Sequence, residues 1–161
     1  MSVLVSNRKL SRLEVITYSD EVHKLIIDLM QRSFGVKDVD QFVRVRYAYG
    51  KEDKEDFAKY RYLMHCFKVQ LNKYGDNLTA NLRAANKIHP ICMTEYEQRR
   101  LYQNSALVNC DQIKMELQKV ADIFNVDINR FAPLVKAVNR ETDLIKKWRL
   151  SDNKIKSRLQ G

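Results

Sequence analysis

The chain has 161 residues, of which 45% are hydrophobic, with a formal net charge of +9 and a pI near 9.5. No apolar run approaches the roughly 18 residues that a membrane-spanning helix needs, so the composition excludes such a helix and favours one domain over residues 1–161. The three cysteines cannot all pair within one chain and no signal-peptide pattern precedes them, so we expect free, mostly buried thiols and a cytoplasmic location.

The first predicted helix starts at a capping-box sequence, SRLE at residues 11–14, after a flexible basic arm over residues 1–10. Apolar residues recur every three or four positions as far as Phe34, and the next residue is a glycine, which is a typical helix stop. Residues 36–56 are a predicted insertion, in which residues 43–49 (VRVRYAY) alternate as in a short strand. Because a lone strand cannot satisfy its own backbone, this stretch pairs with a hairpin or a neighbouring subunit, or is helical.

The remaining sequence predicts three more helices. The second runs from Phe57 to His89 and ends at Pro90, with Gly75 inside it permitting a close approach or a bend. A second capping box, TEYE at residues 94–97, opens the third helix, and the turn NVDIN at residues 125–129 precedes the fourth. Four long amphipathic helices with short connections predict an all-α protein, an antiparallel four-helix bundle.

No pattern in the sequence indicates a metal site or an active site. The pairs His65–Cys66 and His89–Cys92 lack a second pair at zinc spacing, and no Glu-x-x-His sequence of the di-iron bundles occurs. The glycines are too isolated to form a phosphate-binding loop, and no nucleophile has a recognisable histidine partner. We therefore expect no cofactor and no enzymatic activity.

Positive charge is concentrated at the two ends of the chain. Residues 144–161 contain six bases and one acid, and residues 1–12 contain three bases and no acid, so the two ends carry +5 and +3. We expect residues 150–161 to form a basic tail. In an antiparallel bundle these two ends meet at one pole. They either serve solubility or neutralise the phosphates of a nucleic acid, which the high pI favours over a membrane surface. Trp148 lies on the apolar stripe and is interpreted as a core anchor rather than a base-stacking platform.

Four stretches of the sequence together resemble one protein family. They are RKLSRLEVIT at residues 8–17, ANKI at 85–88, YEQRRLYQ at 96–103 with Ala106, Leu107 and Cys110, and LIKKW at 144–148 with SDNK at 151–154. In order, spacing and helical placement they resemble the accessory variability determinant proteins of diversity-generating retroelements, which are related to four-helix bundles encoded in ribosomal RNA intervening sequences. The resemblance covers residues 8–34 and 57–158, whereas residues 35–56 are longer and more strand-like than the usual link of that family.

This resemblance implies a homopentamer, of bacterial or phage origin, without catalytic activity of its own. Such proteins bind the reverse transcriptase of the retroelement and its template RNA, with the cDNA as a further candidate partner, and support the error-prone cDNA synthesis that diversifies a target gene. Carried over by position, the candidate contacts with RNA or reverse transcriptase are Arg8, Lys9, Arg12, Arg99, Arg100, Lys146, Lys147, Arg149, Lys154, Lys156 and Arg158. Asn86 and Tyr96 are expected to be structural. The alternative is a structural or regulatory bundle that acts through protein contacts and whose basic ends serve solubility.

Overall fold

A computed structural model describes residues 3–36 and 54–161 of the chain. It contains four long helices, which we number α1 (Val3–Gln31), α2 (Lys54–Lys87), α3 (Met93–Phe124) and α4 (Ala132–Gln160). Short 3-10 helices follow α1 (Ser33–Gly35) and precede α4 (Ile128–Phe131). No strand occurs in residues 3–36 or 54–161, so the all-α prediction is confirmed there. The predicted strand at residues 43–49 lies outside the described residues.

Both predicted capping boxes are wrong as helix starts. The first helix, α1, begins at Val3, so residues 3–10 are helical instead of a flexible arm. No glycine or proline interrupts this segment, and nothing therefore stops the helix upstream of the SRLE sequence. In α3 the N-cap position belongs to Cys92, whose side chain makes no capping hydrogen bond. Glu95 Oε2 instead accepts a hydrogen bond from the backbone N of Ile91 at 2.9 Å.

The predicted basic tail at residues 150–161 is helical up to Gln160 and forms the last turns of α4. No glycine or proline occurs between Pro133, in the first turn, and Gly161, so the helix continues to the end of the basic segment. A helix fixes which of these residues face the protein and which face solvent, as a flexible tail would not.

The four helices form an antiparallel ring in which each packs against two neighbours, α1 and α3 each lying between α2 and α4. Side-chain pairs show the directions. Asp20 and His23 of α1 meet Arg83 and Asn72 of α2, in reverse order along the chain. Likewise Asn81 of α2 meets Asn109 of α3. The end of α2, the start of α3 and the end of α4 therefore share one end of the bundle, which we call the basic pole.

The core is apolar along most of its length and aromatic at the end opposite the basic pole. Fully buried aliphatic side chains fill the middle, among them Val22, Ile26, Leu71, Leu78, Leu82, Ile113 and Ile145. At the far end Phe34 meets Phe131 edge to face, with ring centroids 6.4 Å apart, and Phe124 meets Phe67 at 5.8 Å. Large apolar side chains of this kind supply most of the free energy of folding.

Gly75 permits a close approach of α1 side chains to the α2 backbone, one of the two roles that the sequence suggested. A Cβ atom at this position would lie 2.7 Å from His23 Cδ2 and 3.0 Å from Ile26 Cδ1. His23 is held at this crossing by its hydrogen bond with Asn72, 3.0 Å long. The glycine therefore lets the imidazole lie directly against the α2 backbone.

Candidate nucleic-acid interface at the basic pole

The second half of α4 places its buried residues on one stripe and its basic residues on both sides of that stripe. Glu141, Ile145, Trp148 and Asp152 follow each other at steps of three or four and are all buried. Trp148 is 3% exposed, which confirms the prediction of a core anchor. The basic residues at other positions of the same helix are Lys146, Lys147, Lys154, Lys156 and Arg158, all exposed, and Arg149, which is half-buried.

An ion pair between Arg99 of α3 and Asp152 of α4 is buried beneath this basic surface. The side chains are 1% and 2% exposed, respectively, and Arg99 contacts both carboxylate oxygens, through Nη2 at 2.9 Å and Nε at 2.8 Å. Gln103 Nε2 donates to the same carboxylate at 2.8 Å. Arg99 Nη1 also donates to the carbonyl O of Ile88, just beyond α2, at 3.0 Å, so a single guanidinium holds three helix ends together.

Because Arg99 is buried, it is not available as a contact for RNA or for a polymerase, and that site prediction is corrected. Its planar guanidinium also lies 5.0 Å from the centre of the Trp148 ring, at a distance typical of a cation–π contact. Asp152 is the one acid among residues 144–161, but its carboxylate faces the interior of the bundle. The six bases of residues 144–161 are thus the only charged side chains that this segment presents toward solvent.

Arg100 lies beside this pair and crosses from α3 to α4. Its Nη1 donates to the backbone O of Arg149 at 2.9 Å, and its Nη2 donates to Asn153 Oδ1 at 3.3 Å. The hydroxyl of Tyr96 donates to the same Asn153 oxygen at 3.3 Å, and the ring of Tyr96 is buried, in agreement with a structural role. Burial lowers the pKa of Arg149, and the positive charge of Arg100 lowers it further.

The basic residues that α4 presents at the pole, together with Arg100, form a continuous group of cations without an acidic partner among the described residues. Within the described part of the chain, no carboxylate oxygen lies within 4 Å of the cationic nitrogens of Arg100 or of the six bases of the α4 segment. The body bases that do have such a partner are Lys24, Arg83, Lys114, Lys119 and Arg140. Over the residues that the structure describes, part of the positive charge of the body is therefore paired with carboxylates, whereas none of the positive charge that α4 presents at the pole is.

The three predicted bases near the chain start, Arg8, Lys9 and Arg12, belong to the N-terminal part of α1. Their side chains lie outside the described residues. Glu14 of α1 pairs with Arg140 of α4 at 3.2 Å, and the two helices run in opposite directions, so the first turns of α1 lie toward the basic pole. The backbone thus brings both ends of the chain to one pole, as the sequence predicted.

The other sequence signals do not form a site of their own. In the described ranges no group of three or more His, Cys, Asp and Glu side chains is arranged to hold a metal ion. The three thiols are free, but only Cys110 is buried, whereas Cys66 is half-buried and Cys92 is exposed, so the expectation of mostly buried thiols is wrong. None of the helices, over the residues described, is long and apolar enough to cross a membrane.

A scan against protein-family models and searches of the curated proteins and of the solved structures found no match to this chain.

Glu141 is a buried acid that the sequence analysis missed. It is fully buried in the bundle, and neither carboxylate oxygen has a hydrogen-bond partner among the described residues. Burial raises its pKa to about 8, with Glu14 of α1 raising it further and Arg140 of α4 lowering it. Across the core, burial also raises the pKa of the Cys110 thiol of α3 to about 12. The sequence signal for the burial of Glu141 is its position four residues before Ile145, on the buried stripe of α4.

We expect Asp152→Ala to lower the free energy of unfolding by about 3–5 kcal/mol, because it leaves the Arg99 guanidinium buried without its counter-charge. Urea unfolding followed by circular dichroism measures the change. The matched control is Asp111→Ala, since Asp111 is 68% exposed and pairs with Lys114 at 3.0 Å, so its loss costs at most about 1 kcal/mol. Equal effects of the two substitutions would contradict the structural role of the buried pair.

Glu141 makes the stability of the fold depend on pH. The folded protein keeps this proton up to about pH 8, whereas the unfolded chain releases it near pH 4.5, so stability falls as pH rises through that window. One proton gives a slope of up to about 1.4 kcal/mol per pH unit. We expect Glu141→Gln to remove this slope in urea unfolding at several pH values, while Glu97→Gln, at an exposed position, keeps it. An unchanged slope in Glu141→Gln would show that another group is responsible.

Proposed function

We propose that this protein is a non-catalytic accessory protein of a diversity-generating retroelement, which binds the reverse transcriptase and the template RNA and supports mutagenic cDNA synthesis. The observation that carries the proposal is the set of cations at the basic pole that have no acidic partner. A nucleic acid carries condensed counterions along its phosphates, and unpaired ammonium and guanidinium groups that neutralise these phosphates release the counterions, which favours binding. The identity of the nucleic acid as template RNA, and of the enzyme as a reverse transcriptase, is taken from the family resemblance of the sequence.

The rigidity of the pole supports the same proposal. The six bases extend from a continuous helix, and the buried contacts of Asp152 fix the orientation of that helix against α3 and the end of α2. A set of cations held in place loses less conformational entropy on binding than the same cations on a flexible tail. Phosphate contacts of this kind position a nucleic acid without reading its sequence, as an accessory protein requires.

We further propose that the chain associates with copies of itself into a homopentameric ring, as the family resemblance implies. A second surface of the bundle supports this proposal. The side chains of Leu101, Val108 and Met115 are 63%, 54% and 61% exposed and follow each other at steps of seven on α3. Apolar side chains repeated every seven residues lie along one face of a helix, and such a face can pack against a helix of another chain. The groove between α3 and α2 is lined mainly by uncharged polar groups such as Asn77, Asn104 and Gln112, so two copies can approach without charge repulsion.

The same apolar surface favours a second candidate function, a structural or regulatory bundle that acts on another protein. In that case the basic pole would serve solubility, and the fold by itself does not decide between the two. The two functions differ in what the pole binds, and a nucleic-acid titration separates them.

We expect reversal of Lys146, Lys147, Lys154 and Lys156 to glutamate to weaken binding of the retroelement's template RNA by at least about 100-fold at 0.1 M salt. The slope of log affinity against log salt should become shallower by about 3, since each single-strand phosphate contact contributes about 0.7. Fluorescence anisotropy across a salt series measures both quantities.

The control for this experiment reverses four lysines of the body, Lys24, Lys73, Lys114 and Lys119, which changes the net charge equally. We expect this variant to keep the steep salt dependence. If wild type binds RNA weakly, or if both variants lose affinity equally, the nucleic-acid function is wrong. A protein partner then becomes the better explanation.

The oligomer is tested by Val108→Asp, which places a charge in the middle of the apolar repeat of α3. We expect its mass in light scattering to fall to that of the 19.0 kDa chain, whereas the wild type has a multiple of that mass. Ile91→Asp, at a position 82% exposed outside the repeat, should leave the assembly intact. An assembly that survives Val108→Asp would show that this surface is not the subunit contact.

A further inference from the structure

Arg100 is held in place by the protein yet keeps donors free for a ligand. Two of its five N–H groups are used, one on the backbone O of Arg149 and one on Asn153 Oδ1. Asn153 is in turn fixed by the hydroxyl of Tyr96. The guanidinium therefore lies across the α3–α4 contact in a defined orientation, with three N–H groups not engaged by these contacts.

Arg149 lies next to it in a setting that is unfavourable for a cation. Its Nε atom is buried, with no acceptor among the residues that the structure describes. The neighbouring charge is the like charge of Arg100, and no described carboxylate lies within 4 Å of either guanidinium. Two adjacent cations repel each other in the free protein, and one anion bound to their exposed N–H groups offsets this repulsion.

We infer that Arg100 and Arg149 together form a binding site for one phosphodiester group of a nucleic-acid backbone. A phosphodiester carries a single negative charge on two free oxygens, and guanidinium forks match this arrangement. The inference rests on the proposed function and adds to it the residues that hold a phosphate and the chemical class of the ligand.

A nucleic-acid strand fits this surface better than an acidic protein segment does. Lys146, Arg149, Asn153 and Lys156 lie on one side of α4 at steps of three or four. At 1.5 Å per residue they extend over about 15 Å of helix. This row of three cations, with one amide among them, suits a chain of regularly spaced phosphates, and Asn153 can add a hydrogen bond to a sugar or phosphate oxygen.

The test compares Arg149→Gln with Lys146→Gln, which removes one positive charge from the same side of the same helix. The probe is a 20-nucleotide oligouridylate, followed by fluorescence anisotropy at 0.1 M salt. We expect Arg149→Gln to weaken binding about tenfold and Lys146→Gln only about twofold to threefold. Arg149→Lys keeps the charge but loses the fork, and it should still weaken binding about fivefold.

A double-mutant cycle tests whether the two arginines act on the same phosphate. Arg100→Gln should weaken binding about as much as Arg149→Gln, and the double variant little more than either single change. Thermal unfolding checks the fold of each variant. Arg149→Gln should retain the wild-type melting temperature, because none of the side-chain hydrogen bonds in the described part of the chain involves the Arg149 guanidinium.

The contrary outcomes are distinct. If wild type does not bind oligouridylate, the nucleic-acid function fails and the site fails with it. If wild type binds but Arg149→Gln equals Lys146→Gln, or Arg149→Lys restores full affinity, only general charge matters and the site alone is wrong. If Arg149→Gln weakens binding of a 20-residue polyglutamate and leaves oligouridylate binding unchanged, the pair binds carboxylates of a protein partner, which overturns the inference.

Discussion

The buried ion pair of Arg99 and Asp152 is the contact on which the basic pole depends. It joins α3 to α4 through both carboxylate oxygens, and through the Ile88 carbonyl it also holds the end of α2. Loss of either partner would leave the other charge buried without compensation. The free energy that this costs is large compared with the stability of an ordinary domain. The direction in which the outer surface of α4 faces is therefore fixed by a contact that no ligand touches.

The same pair determines the charge that the pole presents. With Asp152 turned inward, the last turns of α4 offer six bases to solvent and no acid, whereas five bases of the body lie beside carboxylates on the same or a neighbouring helix. Charges that are already paired attract a polyanion only weakly. Unpaired cations on a rigid surface attract it strongly and respond to salt, which is why the proposed function is placed at this pole.

The apolar periodicity was sufficient to predict the bundle, its helix order and the meeting of the two chain ends. Positions 99, 141 and 152 continue the same helical spacing, but their charged side chains argued for exposure, because such residues are rarely buried unless paired. The partner of Asp152 lies 53 positions earlier in the chain, and only the packing of α3 on α4 reveals it. The predicted start of the first helix was wrong because a capping sequence marks a start only where the preceding residues cannot be helical. Residues 3–10 can be helical, and they form the first turns of α1.

The proposed function requires that a nucleic acid covers the unpaired cations of the basic pole. Lysine acetylation by a small reagent, quantified by mass spectrometry with and without template RNA, tests it most directly because each lysine reports on its own exposure. The proposed function predicts strong RNA-dependent protection of Lys146, Lys147, Lys154 and Lys156, while Lys24, Lys73, Lys114 and Lys119 react as before. Protection spread evenly over both groups, or found only in the second, would contradict it.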